Sequence, residues 1–196
     1  MMNRKQIFFG YAALADKQEG TLYTDATGAF PEMSLDGKQH FFLAYDYDTN
    51  CIFALPIANV QDKTIIEAFD KIFTKLTEKG HKPTFNVTEN QAVTPLKKYL
   101  RAQNCRWKFV EPVNHRVNAA ERAIQTFKNH FISGLCSTDS QWPTQLWDQL
   151  ANQAATTLNI LRRSRIDPTK SAFHQLNGQK YDWNIFPMAP PGTRAV

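Results

Sequence analysis

The fold is decided by one stretch of the chain, HFFLAYDYDTNCIFALPI at residues 40–57. It consists of two apolar runs that are separated by a polar Asp-Thr-Asn turn at 48–50. Two runs rich in aromatic and β-branched residues on either side of a short turn predict a β-hairpin. TLYTDATGAF at 21–30 has a similar composition and predicts a strand before the hairpin. Three antiparallel strands in chain order are therefore expected.

After the hairpin the hydrophobic period changes from that of a strand to that of a helix. Apolar residues at steps of four, three and four predict an amphipathic helix over 62–79. PTFNV (83–87) and RWKFV (106–110) predict two further strands. Between them, Thr94 and Pro95 are typical of an N-cap and a first-turn proline, and they predict a short helix. Its inward-facing residues are expected to be Leu96, Tyr99 and Leu100.

Two longer helices are predicted in the second half of the chain. One covers 118–134 and the other begins at Pro143, and each has an apolar stripe at helical spacing. The stripes consist of Ile124, Phe127, Phe131 and Leu135 in the first helix and of Trp147, Leu150, Ala154, Leu158 and Leu161 in the second. Beyond Asp167 the chain is rich in Pro and Gly, which predicts irregular structure.

The predicted order βββαβαβαα defines an α/β fold. Three meandering strands, followed by strands that alternate with helices, predict a five-stranded mixed sheet flanked by helices. This is the order of elements in the ribonuclease H-like fold. Because one fold supports many activities, the function has to be argued from particular residues.

The charge of the 196-residue chain is unevenly distributed. Residues 1–93 contain 9 Lys and Arg against 12 Asp and Glu, a net −3, whereas 94–196 contain 14 against 6, a net +8. A basic half of this kind indicates an anionic partner, and nucleic acid is the first candidate. No apolar run is long enough to predict a membrane helix. The cysteines have neither metal nor disulfide spacing, which favours a reducing, intracellular environment; they are Cys51, Cys105 and Cys136.

Three acids lie in distant segments that this fold can bring together. Asp25 is in the first predicted strand, Glu89 is at the end of the fourth, and Glu121 is in the first turn of the helix over 118–134. If the first and fourth strands are neighbours, the carboxylates can converge at one end of the sheet. Such an oxygen-rich site suits Mg²⁺ or Mn²⁺, and a pair of these ions supports phosphodiester chemistry. Asp46, which could approach Asp25 across the sheet, is an alternative metal ligand.

Each of these features also has an ordinary structural explanation. Asp25 can be a solvent-facing strand residue, and Glu121 can cap its own helix. Gln125 and Lys128 share a helix face with Glu121. That face can follow a nucleic-acid backbone, although on spacing alone an ordinary solvated helix face is the simpler explanation. Three arginines that close the last long helix can complement its dipole or contact phosphate; they are Arg162, Arg163 and Arg165.

Six blocks of the sequence carry a resemblance to a known family. They are YTDATGAFP (23–31), AYDYDTN (44–50), NHRVNAAERAIQTFKNHF (114–131), LWDQL (146–150), TLNILRRSRIDP (157–168) and APPGTR (189–194). Together they resemble the integrase catalytic core of LTR retrotransposon polyproteins over most of residues 21–196, and NAAERAIQTFK is the most specific part. The resemblance implies a ribonuclease H-like fold with an Asp, Asp, Glu triad that binds Mg²⁺ or Mn²⁺. It also implies an activity that processes the ends of element DNA and joins them to target DNA.

Carried over by position, Asp25, Glu89 and Glu121 resemble the three catalytic and metal-binding acids, and Lys128 resembles a lysine that contacts DNA. Further expected nucleic-acid-binding residues are Asn90, His115, Arg116, Arg122 and Gln125. In relatives the second acid is normally Asp, whereas here it is Glu89. The longer side chain displaces the carboxylate, and a displacement of about 1 Å can lower a rate about a hundredfold. An impaired site is therefore an open alternative.

Three functions follow from these observations. The first is a metal-dependent integrase core, and the second is a catalytically inert DNA-binding or oligomerisation remnant of a transposable element. The third, a ribonuclease H that cleaves RNA–DNA hybrids, is disfavoured by the block around Glu121. We expect a lead-in at 1–20, the catalytic core at 21–165 and a C-terminal extension at 166–196.

The resemblance also sets expectations about context. It implies element-end and target DNA as partners, a homodimer, no membrane and a nuclear location. Integrases usually carry a His-His-Cys-Cys zinc module before the core, and no such pattern precedes residue 21. We therefore expect the chain to be a fragment of a polyprotein.

Overall fold

The structure, a computed structural model, describes residues 19–89, 93–110, 119–190 and 193. Its strands are β1 (Thr21–Ala26), β2 (His40–Asp46), β3 (Ile52–Ile57), β4 (Phe85–Glu89) and β5 (Arg106–Val110). Its helices are α1 (Asp62–Glu78), α2 (Val93–Ala102), α3 (Ala119–Cys136), a 3₁₀ helix (Thr144–Leu150), α4 (Ala151–Leu161) and α5 (Ala172–Asn177). None of the described helices is long and apolar enough to cross a membrane.

The five strands form one mixed sheet in the order β3-β2-β1-β4-β5. β1, β2 and β3 follow one another in the chain and pair antiparallel, whereas β4 lies parallel to both β1 and β5. Parallel neighbours require crossover connections, and α1 and α2 lie in these connections. The predicted fold class, the mixed sheet and the adjacency of the first and fourth strands are confirmed.

Both faces of the sheet are covered by helices, because the strands are apolar on both sides. On one face, α1, α2 and α5 pack against residues such as Leu22 and Phe42. On the other face, α3, the 3₁₀ helix and α4 pack against residues such as Tyr23 and Leu43. Adjacent residues of a strand alternate between these two cores. The parity of a strand position therefore decides which layer of helices it faces.

Helix α3 follows its predicted stripe closely. Ile124, Phe127 and Phe131 are buried, and Leu135 is partly buried against the same core. The ring of Phe41 on β2 lies edge-on to Phe127 and Phe131, with centroids 5.5 and 4.9 Å apart. Edge-to-face contacts of this kind add to the free energy gained from apolar burial. α3 is thereby fixed across the sheet.

Several predicted details are wrong. Leu161, predicted to be buried, has 74% of its surface exposed, because α4 ends there and Arg162 is already extended. Helix α2 begins at Val93, so Thr94 lies within the helix and is not its N-cap. The chain beyond Asp167 is not irregular throughout, since α5 is helical at 172–177 and contributes to the core. The predicted domain boundary between 165 and 166 stays a prediction.

Candidate active site

Two of the three predicted catalytic acids lie at the same end of neighbouring parallel strands. Thr24 of β1 pairs with Thr88 of β4, so Asp25 and Glu89 are each the next residue beyond that pair. Neighbouring strands are about 4.8 Å apart, which brings the two backbones close together. The backbone of Glu89 pairs with Val110 of β5. The side chain of Glu89 lies outside the part of the chain that the structure describes.

Asp25 lies on the face of the sheet that α3 covers. It is two positions beyond Tyr23, which packs in the core beneath α3, and strand alternation places both residues on one face. Asp25 is half-buried, which leaves part of its surface accessible to a ligand. Asp25 is therefore not a fully solvent-facing strand residue. It lies on the face of the sheet that packs against the helices.

Glu121 lies in the first turn of α3 and is exposed. Its helix is positioned by Ala123, Ile124 and Phe127, which are buried against the sheet. A carboxylate is stabilised at this end of a helix, because the first-turn N–H groups carry partial positive charge. A capping arrangement of Glu121 with Asn118, the alternative explanation for this acid, falls on a residue outside the described part of the chain.

The three acids supply the oxygen donors that Mg²⁺ and Mn²⁺ prefer. The strand register brings Asp25 and Glu89 together, and α3 begins on the face that carries Asp25. Among the residues that the structure describes, no group of three or more His, Cys, Asp or Glu side chains is close enough to hold a metal ion. Because Glu89 contributes only its backbone to that description, the triad stays a prediction.

The alternative metal ligand Asp46 is in the wrong place for this site. It pairs with Leu22, three positions from Asp25 along β1, and its strand parity is that of Ala44, on the opposite face of the sheet. Its carboxylate accepts hydrogen bonds from the Thr49 N–H (2.9 Å) and the Thr49 hydroxyl (2.5 Å). Burial raises the pKa of Asp46, and the bonds from Thr49 oppose that shift. Asp46 is therefore a cap of the β2–β3 turn.

Three of the predicted nucleic-acid contacts lie along α3. Arg122 and Gln125 are exposed, and Lys128 is half-buried. The Gln125 side-chain amide donates to Oδ1 of Asn129 at 2.8 Å, so it is oriented along the helix axis. Three other predicted contacts lie outside the described residues; they are Asn90, His115 and Arg116.

Two of the three arginines at the end of α4 have side chains that are held by structural partners. Arg162 donates through Nε to the Asn50 carbonyl (3.0 Å) and through Nη2 to Oδ1 of the same residue (2.5 Å). The guanidinium of Arg165 lies 3.9 Å from the centroid of the Tyr47 ring, a close cation–π contact. Arg163 is exposed, and its carbonyl accepts from the Asn50 amide. Both Arg162 and Arg165 therefore fasten the β2–β3 hairpin to the end of α4.

Sequence reasoning missed a groove beside the candidate site. It has a volume of about 540 Å³ and lies between the loop that follows β1 and the C-terminal half of α3. Its lining includes Thr27, Gly28, Phe30, Lys128 and Ile132. Because Thr27 and Gly28 follow Asp25 closely, the groove opens next to the acid-bearing strand ends. The only signal in the sequence was the break in strand pattern at Gly28.

Solved structures support this description of the fold. The chain is similar to the HTLV-2 integrase catalytic core domain, solved in complex with magnesium in trimeric and dimeric forms. Identity is 16% and the TM-score 0.58, with 81% of this chain and 96% or 95% of that chain covered. The BIV integrase catalytic core domain gives 11% identity, a TM-score of 0.57 and coverage of 81% and 93%. Comparisons with protein-family models and with curated proteins give no match.

The chain therefore has the fold of a retroviral integrase catalytic core. The similarity spans nearly the whole of each solved core domain, so the sheet and its flanking helices correspond as a unit. The integrase-like, ribonuclease H-like core that the sequence predicted is thus supported by structures. At such low identity the likeness concerns the fold alone.

Proposed function

We propose that this chain is the catalytic core of a retroelement integrase, a polynucleotidyl transferase that acts on DNA. The observation that carries the proposal is the β1–β4 register, which brings Asp25 and Glu89 side by side. The first turn of α3, with Glu121, begins on the same face of the sheet. A shared metal site would account for acids from two such distant strands lying at one end of the sheet.

In this proposal, Asp25, Glu89 and Glu121 hold Mg²⁺ or Mn²⁺. When bound, the ions supply Lewis-acid stabilisation of charge at the phosphodiester and a nucleophile at neutral pH. The residues of α3 bind and orient the DNA. Lys128 and Arg122 neutralise phosphate charge, and Gln125 donates to the backbone. Magnesium is present in the HTLV-2 structures, which is a property of those proteins and supports the choice of cation here.

Glu89 is the residue on which activity depends most. A glutamate keeps the charge of the usual aspartate, but its carboxylate lies one methylene further from the strand. Mg²⁺ demands near-octahedral geometry and tolerates such a displacement poorly. We therefore expect Mn²⁺ to support activity better than Mg²⁺.

The partners that fit this function are the ends of element DNA and target DNA. A homodimer also fits, because the HTLV-2 core was solved in dimeric and trimeric forms. Origin from an LTR retrotransposon polyprotein and action in the nucleus complete the proposal; they rest on the sequence resemblance alone.

The test is strand transfer or disintegration of a labelled DNA substrate in Mn²⁺. Asp25→Asn and Glu121→Gln should each lower the rate at least a hundredfold, because each removes a metal-binding carboxylate. Asp62→Asn is the matched control, since Asp62 lies in the first turn of α1, a helix on the opposite face. If both site variants turn over as fast as the unsubstituted protein, the assignment is wrong.

A catalytically inert, DNA-binding remnant is the second candidate. The glutamate at the second acid position favours it, because relatives normally use aspartate there. Glu89→Asp separates the two candidates. Recovery of Mg²⁺-supported strand transfer in Glu89→Asp supports a weakened enzyme, whereas no turnover in either protein supports the remnant. An RNA–DNA hybrid tested beside the DNA end would identify ribonuclease H activity.

A further inference from the structure

One edge of the sheet is strongly basic and was not assigned to any function above. Residues 93–110 form α2, the following turn and the edge strand β5, and they contain five cations and no acid. The whole chain has a net charge of +5, so this short segment carries as much positive charge as the entire molecule. We name as the basic edge the residues Lys97, Lys98, Arg101, Arg106 and Lys108.

The cations of the basic edge lie on both faces of β5. Arg106 lies over the ring of Phe85, 5.8 Å from its centroid, and Phe85 packs on the α3 face. Lys108 has the same strand parity as Arg106. Lys97 and Arg101 lie one turn apart on α2, over Phe109 (5.0 Å) and Trp107 (5.4 Å) of β5. β5 is thus flanked by positive charge on both sides.

These cations are available to a ligand. Lys98, Arg101, Arg106 and Lys108 are exposed, and none of the five pairs with a carboxylate of the described residues. The aromatic rings hold three of the side chains in place by cation–π contact without neutralising their charge. Cations held in this way lose less conformational freedom when they bind phosphate than free surface lysines do.

Protection of an exposed strand edge is the competing explanation. Charged residues on an edge strand discourage pairing with other chains, and this accounts for Arg106 and Lys108. It does not account for Lys97, Lys98 and Arg101, which lie on a helix. The opposite edge strand, β3, has the sequence IFALPI without a single charge. That edge is protected instead by Pro56 and by Asn159 of α4, which bonds to both backbone groups of Ile52.

We propose that the basic edge binds the phosphate backbone of double-stranded DNA, outside the acid-bearing site. Arg106 and Lys108 are about 7 Å apart along the strand, which spans about two phosphates of one DNA strand along the helix axis. β5 ends at Val110, which pairs with Glu89, so Lys108 lies two residues from the acid-bearing end of the sheet. A duplex seated there contacts a surface independent of the α3 residues.

The experiment measures duplex binding by fluorescence anisotropy in metal-free buffer containing EDTA, over a series of salt concentrations. Each phosphate contact contributes about 0.9 to the slope of log K against log salt. Arg106→Gln/Lys108→Gln and Lys97→Gln/Arg101→Gln should each reduce the slope by about 1.8. Lys75→Gln is the matched control, because Lys75 lies over Phe53 (5.7 Å) of the opposite edge strand. Its slope should not change.

Unchanged slopes in both double variants would overturn the inference, as would salt-independent binding by the unsubstituted protein. Self-association of Arg106→Gln/Lys108→Gln in light scattering, with an unchanged slope, would assign those cations to edge protection and also reject it. Circular dichroism and thermal melting verify that the variants fold. The readout is separate from catalysis, because Asp25→Asn and Glu121→Gln should abolish strand transfer while the slope contributed by the basic edge persists.

Discussion

Asn159 caps the free edge of the sheet at Ile52 by a pair of hydrogen bonds. Its Oδ1 accepts from the Ile52 N–H and its Nδ2 donates to the Ile52 carbonyl, both at 2.8 Å. Ile52 begins β3, the edge strand opposite β5. A buried carboxamide here imitates a neighbouring strand, so it satisfies both backbone groups where water is excluded.

Asn159→Ala should lower the free energy of unfolding by about 2–4 kcal/mol. The change leaves the N–H and C=O of Ile52 without partners in a buried environment, and each such group costs about 1–3 kcal/mol. Urea denaturation monitored by circular dichroism measures the effect. Asn152→Ala on the same helix is the control, because Asn152 is exposed and should cost about 0.5 kcal/mol or less. Equal losses in both variants would contradict the role of Asn159.

The position of a single residue in the fold could be predicted from the sequence only where the period of a strand or a helix determines it. Asp25 could be placed beside Glu89 because strand order and period-two alternation fix neighbouring positions. Asp46 was misplaced, because its turn-capping bonds to Thr49 depend on local backbone geometry. The contact between Asn159 and Ile52 joins residues 107 positions apart, and no local pattern indicates such a pairing.

At the scale of elements, the 3₁₀ helix holds the loop that follows Asp25. The Trp147 indole donates to the Glu32 carbonyl at 2.9 Å, and the Phe30 ring stacks on Trp147 with centroids 4.2 Å apart. The Thr144 hydroxyl also donates to the Glu32 carboxylate at 2.5 Å. These contacts fix the wall of the groove beside the candidate site, so the 3₁₀ helix positions this loop as well as part of the core.

Trp147→Phe should destabilise the protein by about 1–3 kcal/mol and loosen this loop. The phenyl ring retains aromatic packing but leaves the Glu32 carbonyl without its donor and a space beside Phe30. Urea denaturation measures stability, and hydrogen exchange of the amides at 27–35 should become faster. Trp142→Phe is the control, because Trp142 is only half-buried. Unchanged exchange in Trp147→Phe would show that the loop is held by other contacts.

The elements themselves were largely predictable, and the errors have physical causes. α1 and α3 followed from stripes at helical spacing, because each buries one face on the sheet. α5 was missed because six residues are too few to establish a period, and its stability comes from burying Ala172 and Leu176. Leu161 was misassigned because a stripe does not reveal the residue at which a helix ends.

At the scale of the molecule, acidic and basic residues occupy different parts of the sheet. The acids lie at the carboxyl ends of two central strands, and the basic edge lies on the adjoining outer strand. The sequence showed the charge asymmetry between its halves but not where the charge lies in space. It also could not measure the approach of Glu121 to Asp25, because that distance depends on how α3 lies across the sheet.

The C-terminal residues before and after Gly178 differ in how much they contribute to the buried core. Helix α5 ends at Gly178, whose φ of 73° is left-handed and suits glycine. Among the described residues after Gly178 none is buried. They contact α4 through hydrogen bonds from Gln153 to the Ala189 carbonyl (2.7 Å) and from Thr157 to the Met188 sulfur (3.6 Å).

Truncation after Gly178 should therefore cost about 1–3 kcal/mol and preserve cooperative unfolding, because it removes surface contacts only. Truncation after Lys170 should cost about 4 kcal/mol or more. It removes the buried Ala172 and Leu176 together with the bond from the Cys51 thiol to the Ala172 carbonyl. Urea denaturation of both proteins beside the full chain gives the comparison. Equal stability of the two truncated proteins would mean that α5 does not belong to the cooperative core, and the core would then end near residue 165, as the sequence predicted.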